Sequence, residues 1–261
     1  MSSGLPNNIE GRWYKDGVEI TVNATELNLL LGLTAAPINK IAVQRVTAAG
    51  AGTYTPTVGM KYVIVCAQAA GGGGGGAADA GATQFALGQG GSGGEYIEAV
   101  FQASDIGASK AYVVGAKGTG GTAGANNGVA GANTTFNTTW IIATGGSLGG
   151  GGASAAASQF FLPEGTRITG GSVATGTLIR QVSGYGFGVA FALVSQAQSS
   201  GGGASGSGVQ GGAVKVATSA VGNNGTLGSG GGGALSYNAG GAFAGGDGGD
   251  GFITFIELLG A

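Results

Sequence analysis

Histidine is absent from the 261-residue sequence, and cysteine occurs once, at Cys66. Without histidine, neither a Ser–His–Asp triad nor a histidine metal site can form. A lone cysteine with no histidine to activate it is not a credible nucleophile. It cannot form an intramolecular disulfide either, which fits synthesis in a reducing cytoplasm. Since Cys66 lies in an apolar run, we expect it to be a buried small side chain.

Charge is scarce as well. Charged residues make up 8% of the chain, and ten Lys and Arg against twelve Asp and Glu give a net charge of −2. The basic residues are scattered, so no basic patch for nucleic acid is expected. No apolar stretch reaches about 18 residues, which argues against a transmembrane helix and membrane insertion. Residues 1–6 lack the basic and apolar regions of a signal peptide.

Proline is rare, with 4 residues, whereas glycine is abundant, with 62. Collagen would need glycine at every third position and abundant proline, and the run Gly71–Gly76 breaks that period. A disordered glycine linker is the other familiar class. The hydrophobic content of 43% argues against it, because an unfolded chain so apolar and so weakly charged would aggregate. We therefore expect a folded protein.

The glycines must be compensated energetically. Ordering a glycine costs roughly 0.5–1 kcal/mol more than ordering an alanine. One compensation is dense packing of polyproline-II-like segments, which have three residues per turn and outward-pointing N–H and C=O groups. The other is oligomerisation, which buries further surface. We expect both.

Residues 1–10 are polar, and we interpret them as an anchor that binds a partner. Asp16-Gly17, between aromatic and β-branched residues, predicts a short hairpin. Asn23-Ala24-Thr25-Glu26 has capping-box spacing, and Leu27, Leu30 and Leu31 follow on one helical face. A helix of about ten residues needs partners for its leucines. They are supplied either by its own domain or by a parallel bundle at a symmetry axis.

The segment Val22–Thr34 resembles the T-A-T-E-L-N-x-L-x-G-V-T segment that recurs in tailed-bacteriophage fibre proteins. This resemblance implies a homotrimer with the helix at its three-fold neck. Leu27, Leu30 and Leu31 are then the neck residues.

Residues 57–258 are similar to the glycine-rich C-terminal domains of phage fibre and adhesin proteins. The likeness rests on an apolar strand at Tyr62–Ala67, a glycine run, and the segment Gly93–Phe101. It continues through Gly131–Phe136 and ends on Gly245–Ile253. The sequence departs from the family at Phe160–Arg167, where a proline-containing apolar segment replaces glycine and serine.

The same region predicts an all-β, glycine-rich domain that resembles a sandwich or barrel, with polyglycine-type loops as connections. β-branched and aromatic runs bounded by Gly, Asn or Ser predict its strands. Several strands are apolar on both faces, which a trimer interface would bury. We divide the chain into residues 1–40 (anchor, hairpin and neck helix) and residues 41–261 (glycine-rich β domain). The predicted strands are Ile41–Thr47, Lys61–Gln68, Tyr96–Gln102, Lys110–Ala116, Trp140–Thr144, Thr166–Thr169, Gly188–Val194, Val214–Thr218 and Gly251–Glu257.

No catalytic or metal site is predicted, and no cofactor is expected. Gly71–Gly76 is not a phosphate loop, because no Lys-Ser/Thr follows it. Gly246–Gly251, with Asp247 and Asp250, is similar to glycine/aspartate calcium repeats but occurs once, and a turn before the last strand is the alternative. Two of the sparse acids could form a glycosidase dyad, but such enzymes have many more aromatic and charged residues in a cleft.

Aromatic residues set in glycine-rich sequence remain as candidates for recognition. Each one either fills a gap in a thin core or lies exposed at a distal tip, where it contacts a sugar or a surface protein. We select Tyr185, Phe187, Tyr237 and Phe243 as receptor-binding candidates. The full set is Phe85, Phe160, Phe161, Tyr185, Phe187, Phe191, Tyr237 and Phe243.

The leading hypothesis is therefore a structural fibre or adhesin of a tailed-phage virion. It is a homotrimer that attaches to other virion proteins through its N-terminal arm and contacts a host polysaccharide or outer-membrane protein through glycine-rich loops. The alternative is a capsid fibre or decoration protein without a dedicated receptor. A depolymerising enzyme is the third class, and the missing histidines and sparse acids disfavour it.

Overall fold

The structure is a computed structural model. It describes residues 38–156, 159–193 and 195–260, with side-chain surroundings from residue 40 onward, and the backbone of three short N-terminal strands. Those strands, β1 (Asn7–Ile9), β2 (Arg12–Lys15) and β3 (Val18–Ile20), form a small antiparallel sheet. Lys15 lies opposite Val18, so two residues connect β2 to β3, as expected for a short hairpin.

The larger part of the chain is almost entirely β, so the prediction of an all-β fold is confirmed. Among the described residues, the only helix is α1 (Ala103–Ile106). The remaining strands are β4 (Ile38–Val46), β5 (Gly50–Tyr54), β6 (Met60–Gln68), β7 (Gln84–Leu87), β8 (Tyr96–Gln102), β9 (Lys110–Val114), β10 (Thr134–Phe136), β11 (Ile141–Ala143), β12 (Ala155–Ala156), β13 (Phe160–Leu162), β14 (Ser172–Val173), β15 (Thr177–Val182), β16 (Ala190–Leu193), β17 (Gln196–Gln198), β18 (Leu235–Tyr237) and β19 (Phe252–Gly260).

Two five-stranded sheets carry most of these strands. The first has the order β15-β8-β6-β19-β4, and the second has the order β14-β11-β10-β9-β5. Two three-stranded sheets, β12-β7-β18 and β13-β16-β17, lie elsewhere in the fold. Every pair of neighbouring strands is antiparallel, and none of the sheets in the described residues closes into a barrel.

A single aromatic core joins the two five-stranded sheets. Tyr54 from β5 stacks on Phe255 from β19 with ring centroids 4.1 Å apart. Phe136 from β10 meets Phe101 from β8 edge to face at 5.4 Å. All four rings are at most 1% exposed. Pairs with this geometry add about 0.5–1.5 kcal/mol beyond their area burial, so this core fixes how the two sheets face each other.

The core also holds a buried carboxylate, that of Glu257. Its Oε1 accepts hydrogen bonds from the Tyr54 hydroxyl at 2.7 Å, the Thr57 N–H at 3.0 Å and the Gln44 amide at 3.1 Å. These bonds tie the β5–β6 connection to the last strand. A buried carboxylate needs such donors, because leaving it without partners is costly.

The glycine-rich segments pack beside one another as what we call the glycine bundle, which extends β6, β8 and β19 beyond one end of the sheets. Its central segment, 69–78, makes hydrogen bonds with a three-residue repeat. The N–H groups of Gly71, Gly74 and Ala77 bond to the carbonyls of residues 249, 246 and 243. The same repeat links this segment to six neighbours, which are residues 87–95, 115–124, 126–133, 144–152, 228–235 and 243–251. A repeat of three residues is the period of a polyproline-II helix.

Residues 228–235 form a second centre of the glycine bundle. Gly230 and Gly233 donate to Gly203 and Ser200, whereas Gly231 and Ala234 donate to Gly72 and Gly75. Its remaining neighbours are residues 87–95, 209–216, 220–225 and 243–251. Most of the buried N–H and C=O groups of both centres are thus paired with neighbouring backbone, as buried polar groups require.

Close approach of backbones explains why these positions are glycine. A Cβ on Gly73 would lie 2.0 Å from the carbonyl oxygen of Thr119, and one on Gly75 would lie 2.0 Å from that of Gly150. Real Cβ atoms do not approach carbonyl oxygens so closely, so a side chain here would force the segments apart.

Asparagine and aspartate side chains close the outer faces of the glycine bundle. Asp247 and Asp250 accept hydrogen bonds from the N–H groups of Gly120 and Lys117 at 2.9 and 2.8 Å. Asn127 and Asn133 accept from the N–H groups of residues 151 and 145, both at 2.9 Å. These side-chain oxygens accept hydrogen bonds from outward-pointing N–H groups, in the way that the carbonyls of a neighbouring segment do inside the glycine bundle.

Two predicted strands are wrong. In the predicted strand Thr166–Thr169, only Ile168 makes a bridge, to Gly184, and in Val214–Thr218 only Val216 does, to Gln198. Both segments lie against glycine-rich neighbours rather than in a sheet. The glycine run Gly71–Gly76 lies between β6 and β7, and its residues are all buried, so this connection is a packed segment of the fold.

Candidate functional site

The start of the described β domain lies at one end of the molecule, and a set of turns lies at the other end. Ile38, the first residue of β4, pairs with Gly260, whereas Phe252, at the other end of β19, adjoins the glycine bundle. β4 spans about 30 Å at ~3.3 Å per residue. Residues 70–77 add about 25 Å at ~3.1 Å per residue. The turns beyond the glycine bundle therefore lie about 55 Å from Ile38.

These far-end turns comprise residues 79–83, 122–127, 153–156, 217–219 and 238–242. Their exposed side chains are small or uncharged, with Asp79 as the exception. The far-end turns are held together by hydrogen bonds. The Gln84 Oε1 accepts from the Gly81 N–H and the Ser154 hydroxyl, both at 2.9 Å, and the Asn238 N–H donates to the Gln84 carbonyl at 2.9 Å. Thr83 and Asn238 have φ values of 60° and 50°, which places two non-glycine residues in the left-handed region.

A cavity of about 310 Å³ opens beside the far-end turns, and we call it the aromatic cavity. Phe85 and Phe160 form two of its walls with ring centroids 5.7 Å apart. Leu87 and Leu162 complete its apolar lining, and the backbone of residues 151–153 forms another wall. Its polar side chains are Gln89 and Ser154, and none of its lining residues is ionisable. A mostly apolar cavity with a few polar groups is the usual form of a small-ligand site.

Tyr185 and Phe187, the first pair of predicted receptor residues, lie on the side of the glycine bundle near the sheets. The Tyr185 carbonyl accepts from the Gly93 N–H at 2.9 Å, close to the start of β8. Its ring is 41% exposed and lies under the Arg167 guanidinium, with the Cζ 4.6 Å from the ring centroid. Phe187 is half-buried against Gly165.

The second pair, Tyr237 and Phe243, lies at the far end. Both are half-buried, Tyr237 against the Phe85 cluster and Phe243 against Ala77. The two pairs are separated by six to seven residues of the central segment, or about 20 Å at ~3.1 Å per residue. The structure therefore does not bring the four predicted residues into one site, and their role in receptor binding stays a prediction.

The predicted neck residues Leu27, Leu30 and Leu31 lie outside the described residues, as does the N-terminal anchor. Asp247 and Asp250 hydrogen-bond backbone N–H groups, and the Lys117 Nζ lies 2.8 Å from the Asp247 Oδ2. The Lys117 ammonium and the Gly120 N–H lower the pKa of Asp247. No cluster of three potential metal ligands occurs in the part of the chain that the structure describes.

The outer face of the first five-stranded sheet carries exposed apolar side chains in the part remote from the glycine bundle. We call it the outer sheet face, and it comprises the outward side chains of β4, β19, β6 and β8. Val43, Ile256, Ile64 and Val100 lie side by side in the strand register across it. Ile41, Val43 and Tyr62 are 61%, 62% and 42% exposed. In soluble proteins, large exposed apolar patches are often sites of interaction.

Two arginines flank the part of the outer sheet face nearest the glycine bundle. The Arg45 Cζ lies 4.4 Å from the centroid of the Phe252 ring, and the Arg180 Cζ lies 5.0 Å from that of Tyr96. The Tyr96 hydroxyl donates to the Glu98 Oε1 at 2.6 Å, and the Arg180 Nη2 lies 3.2 Å from the same oxygen. These contacts give the apolar surface a charged, ordered border.

Sequence reasoning missed the polar residues of the far-end turns. The pair Thr83-Gln84 is distant in sequence from Ser154 and Asn238, and the three sites meet only through the packing of the glycine bundle. The pairing of β7 with β12 and β18 brings them together. No local motif marks them, although Phe160, which borders the same region, belonged to the wider set of aromatic candidates.

Comparison with known proteins assigns no family: the chain matches neither a known family model nor a curated protein. Within the described residues, no helix combines the length and apolar character needed to cross a bilayer.

Proposed function

We propose that the protein is a structural fibre or adhesin of a tailed-bacteriophage virion, attached through its N-terminal arm. One observation carries the proposal: Ile38 and the far-end turns lie at opposite ends of the molecule, about 55 Å apart by the strand and polyproline-II rises. An attachment protein needs one end for the particle and another for the host. The sequence resemblance to phage fibres, in the Val22–Thr34 segment and in residues 57–258, supports the same assignment.

In this proposal the glycine bundle is a stiff spacer of polyglycine-type helices, and the two five-stranded sheets form a sandwich at its base. Interlocked backbone hydrogen bonds give rigidity without long side chains, and rigidity lowers the entropic cost of binding. The buried runs such as Gly71–Gly76 cannot themselves contact a host. Binding residues commonly lie on loops that a rigid scaffold positions. We therefore place the host contact at the far-end turns.

The proposed assembly is a homotrimer in which the outer sheet face is the interface between copies. Its exposed apolar residues would otherwise remain in water, at a cost of about 25 cal/mol per Å². The 37 residues that precede β4 join the sheet at its β4 edge, at the end remote from the glycine bundle. A neck formed by Leu27, Leu30 and Leu31 would then continue the same three-fold axis.

Replacement of Val43 by lysine is expected to break this assembly. A lysine in an apolar interface would bury a charge without a partner, which is strongly unfavourable. We expect light scattering of Val43→Lys to give the mass of fewer chains than the wild type at the same concentration. The matched control is Val58→Lys, because Val58 is 96% exposed and lies outside the outer sheet face. Equal masses for wild type and Val43→Lys would rule out this interface.

Host binding is tested with fluorescently labelled protein on intact cells of candidate hosts. We expect saturable binding by wild type, and loss of binding in Ala82→Arg, which places a bulky charge in an exposed far-end turn. Ala108→Arg is the control, since Ala108 is exposed at the opposite end, between α1 and β9. Binding lost equally in both variants would contradict contact through the far-end turns. A stable trimer that binds no host cell would favour a capsid fibre or decoration protein instead.

A further inference from the structure

We propose that the aromatic cavity binds one ring of a neutral sugar. This inference rests on the proposed function, since it names the chemistry that the far end of an adhesin would recognise on a host. Its first support is position. The cavity adjoins the far-end turns, because β12 of its wall pairs with β7 and the Ser154 hydroxyl hydrogen-bonds to Gln84.

The walls suit the apolar face of a sugar ring. Phe160 is 40% exposed and Phe85 is 2% exposed, so one ring is accessible while the other closes the back of the cavity. The faces of aromatic rings carry partial negative charge. The C–H groups on one face of a pyranose carry partial positive charge and therefore fit against such a wall.

The polar groups suit the edge of the same ring. The Gln89 Oε1 accepts from the Gly150 N–H at 3.3 Å, which leaves the two N–H donors of its amide for a ligand. The Ser154 hydroxyl donates to Gln84 and keeps its lone pairs as acceptors. A purely apolar guest, such as the aromatic side chain of a surface protein, would desolvate these groups without replacing their hydrogen bonds.

Charge and size narrow the ligand further. None of the lining residues is ionisable, so the cavity offers no partner to an acidic or amino sugar. A volume of about 310 Å³ lies at the lower end of the range of about 300–1,000 Å³ for ligand sites. The cavity therefore holds a single ring, and the rest of a polysaccharide would extend over the far-end turns.

The test is titration with methyl α-D-glucopyranoside, methyl β-D-galactopyranoside and the methyl glycoside of N-acetylglucosamine, followed by saturation-transfer difference NMR. We expect at least one of them to bind, and Phe160→Ala to weaken it about fivefold or more, the equivalent of losing ~1 kcal/mol of ring contact. Phe161→Ala is the matched control. Phe161 is the next residue, is 68% exposed and packs toward Phe191 rather than into the cavity. Phe160→Leu keeps apolar bulk without a ring and should behave as Phe160→Ala does.

The inference is overturned if none of the three glycosides binds, or if Phe160→Ala binds them as tightly as Phe161→Ala does. Binding of N-acetylphenylalanine amide in place of the glycosides would also overturn it, in favour of a protein receptor. Host-cell binding separates this inference from the proposed function. Cell binding by Phe160→Ala at the wild-type level overturns the inference and leaves the adhesin standing. Glycoside binding without cell binding supports the sugar site and contradicts the adhesin.

Discussion

Replacement of Gly74 by alanine is expected to destabilise the protein by at least about 3 kcal/mol, the upper end of the usual cost of overpacking. Gly74 lies in the central segment of the glycine bundle, where its N–H bonds to Gly246 and its carbonyl accepts from Gly121. An added Cβ would lie 2.2 Å from the carbonyl oxygen of Gly232 and 2.6 Å from its carbon. The obstacle is backbone, which cannot rotate aside as a side chain can.

The effect should reach beyond one contact. Gly232 belongs to the second centre, so displacing it disturbs the hydrogen bonds of both central segments. Since proteins are stable by only about 5–15 kcal/mol, a loss of this size removes a large share of the total. Urea denaturation followed by tryptophan fluorescence measures it, because Trp140 packs against Phe101 in the core.

Gly188→Ala is the matched control for this prediction. Gly188 also belongs to the glycine bundle, donating to the Gly201 carbonyl at 3.0 Å. The nearest atom to its added Cβ is 3.8 Å away, and its φ lies outside the left-handed region. Alanine at such a site restricts the unfolded chain and should stabilise the fold by about 0.4–1 kcal/mol. Opposite signs for the two variants are the expected result. Equal stability of Gly74→Ala and wild type would contradict the packing described for the glycine bundle.

Alkaline pH is expected to destabilise the fold steeply above about pH 10, the usual pKa of tyrosine. Burial, and then the hydrogen bond to Glu257, raises the pKa of Tyr54 far above that value. Burial, followed by the hydrogen bonds to Glu98 and Cys66, does the same to the pKa of Tyr96. In both cases ionisation would place a phenolate beside a carboxylate.

The direction follows from proton binding. Above about pH 10 the unfolded chain loses the two phenolic protons, whereas the folded protein keeps them. Stability is therefore fully present below that pH and falls as the pH rises. Each tyrosine contributes about 1.36 kcal/mol per pH unit, so the pair contributes about 2.7 kcal/mol per pH unit. Burial also raises the pKa of the Cys66 thiol, so a Cys66→Ala background removes its contribution.

Urea denaturation of this background at pH 9, 10 and 11, at constant protein concentration, measures the slope. Tyr54→Phe should be less stable at neutral pH, because the Glu257 Oε1 then keeps only two donors. Above pH 10, its free energy of unfolding should nevertheless fall only about half as steeply as that of the Cys66→Ala background. An unchanged slope in both Tyr54→Phe and Tyr96→Phe would show that these two phenols are not responsible.

The sequence predicted several strands that carry their own local signal, although it missed β15 (Thr177–Val182). β6, β8 and β19 are long and rich in β-branched and aromatic residues, and each was predicted close to its observed bounds. β5 was missed because Gly50-Ala51-Gly52 contains no such signal and pairs only through its neighbour β9. The predicted strand at Val214–Thr218 failed for the opposite reason: its valines favour a strand, but the surrounding glycine bundle decides its partners.

The site was less predictable than the fold. Backbone packing in the manner of polyproline-II segments was anticipated from the glycine content, yet nothing local shows which segments become neighbours. Ser154 and Asn238 lie near Gln84 because of that packing, across sequence separations of 70 and 154 residues. In the sequence, Tyr185 and Tyr237 are both aromatic residues in glycine-rich surroundings. The packing of the segments places Tyr185 near the sheets and Tyr237 at the far end of the glycine bundle.

The three-residue hydrogen-bond repeat of the glycine bundle restricts the length of insertions and deletions, because only a change of three residues keeps the repeat in phase. Adding one residue within Gly71–Gly76 would rotate every later N–H toward the wrong neighbouring segment. Adding three residues would turn each N–H back toward its original neighbouring segment. The far-end turns lie outside the three-residue repeat, because the segments on either side of each turn are already in register. Insertions in these turns should therefore leave the hydrogen bonds of the glycine bundle intact, whereas insertions within the bundle should be tolerated only in steps of three residues.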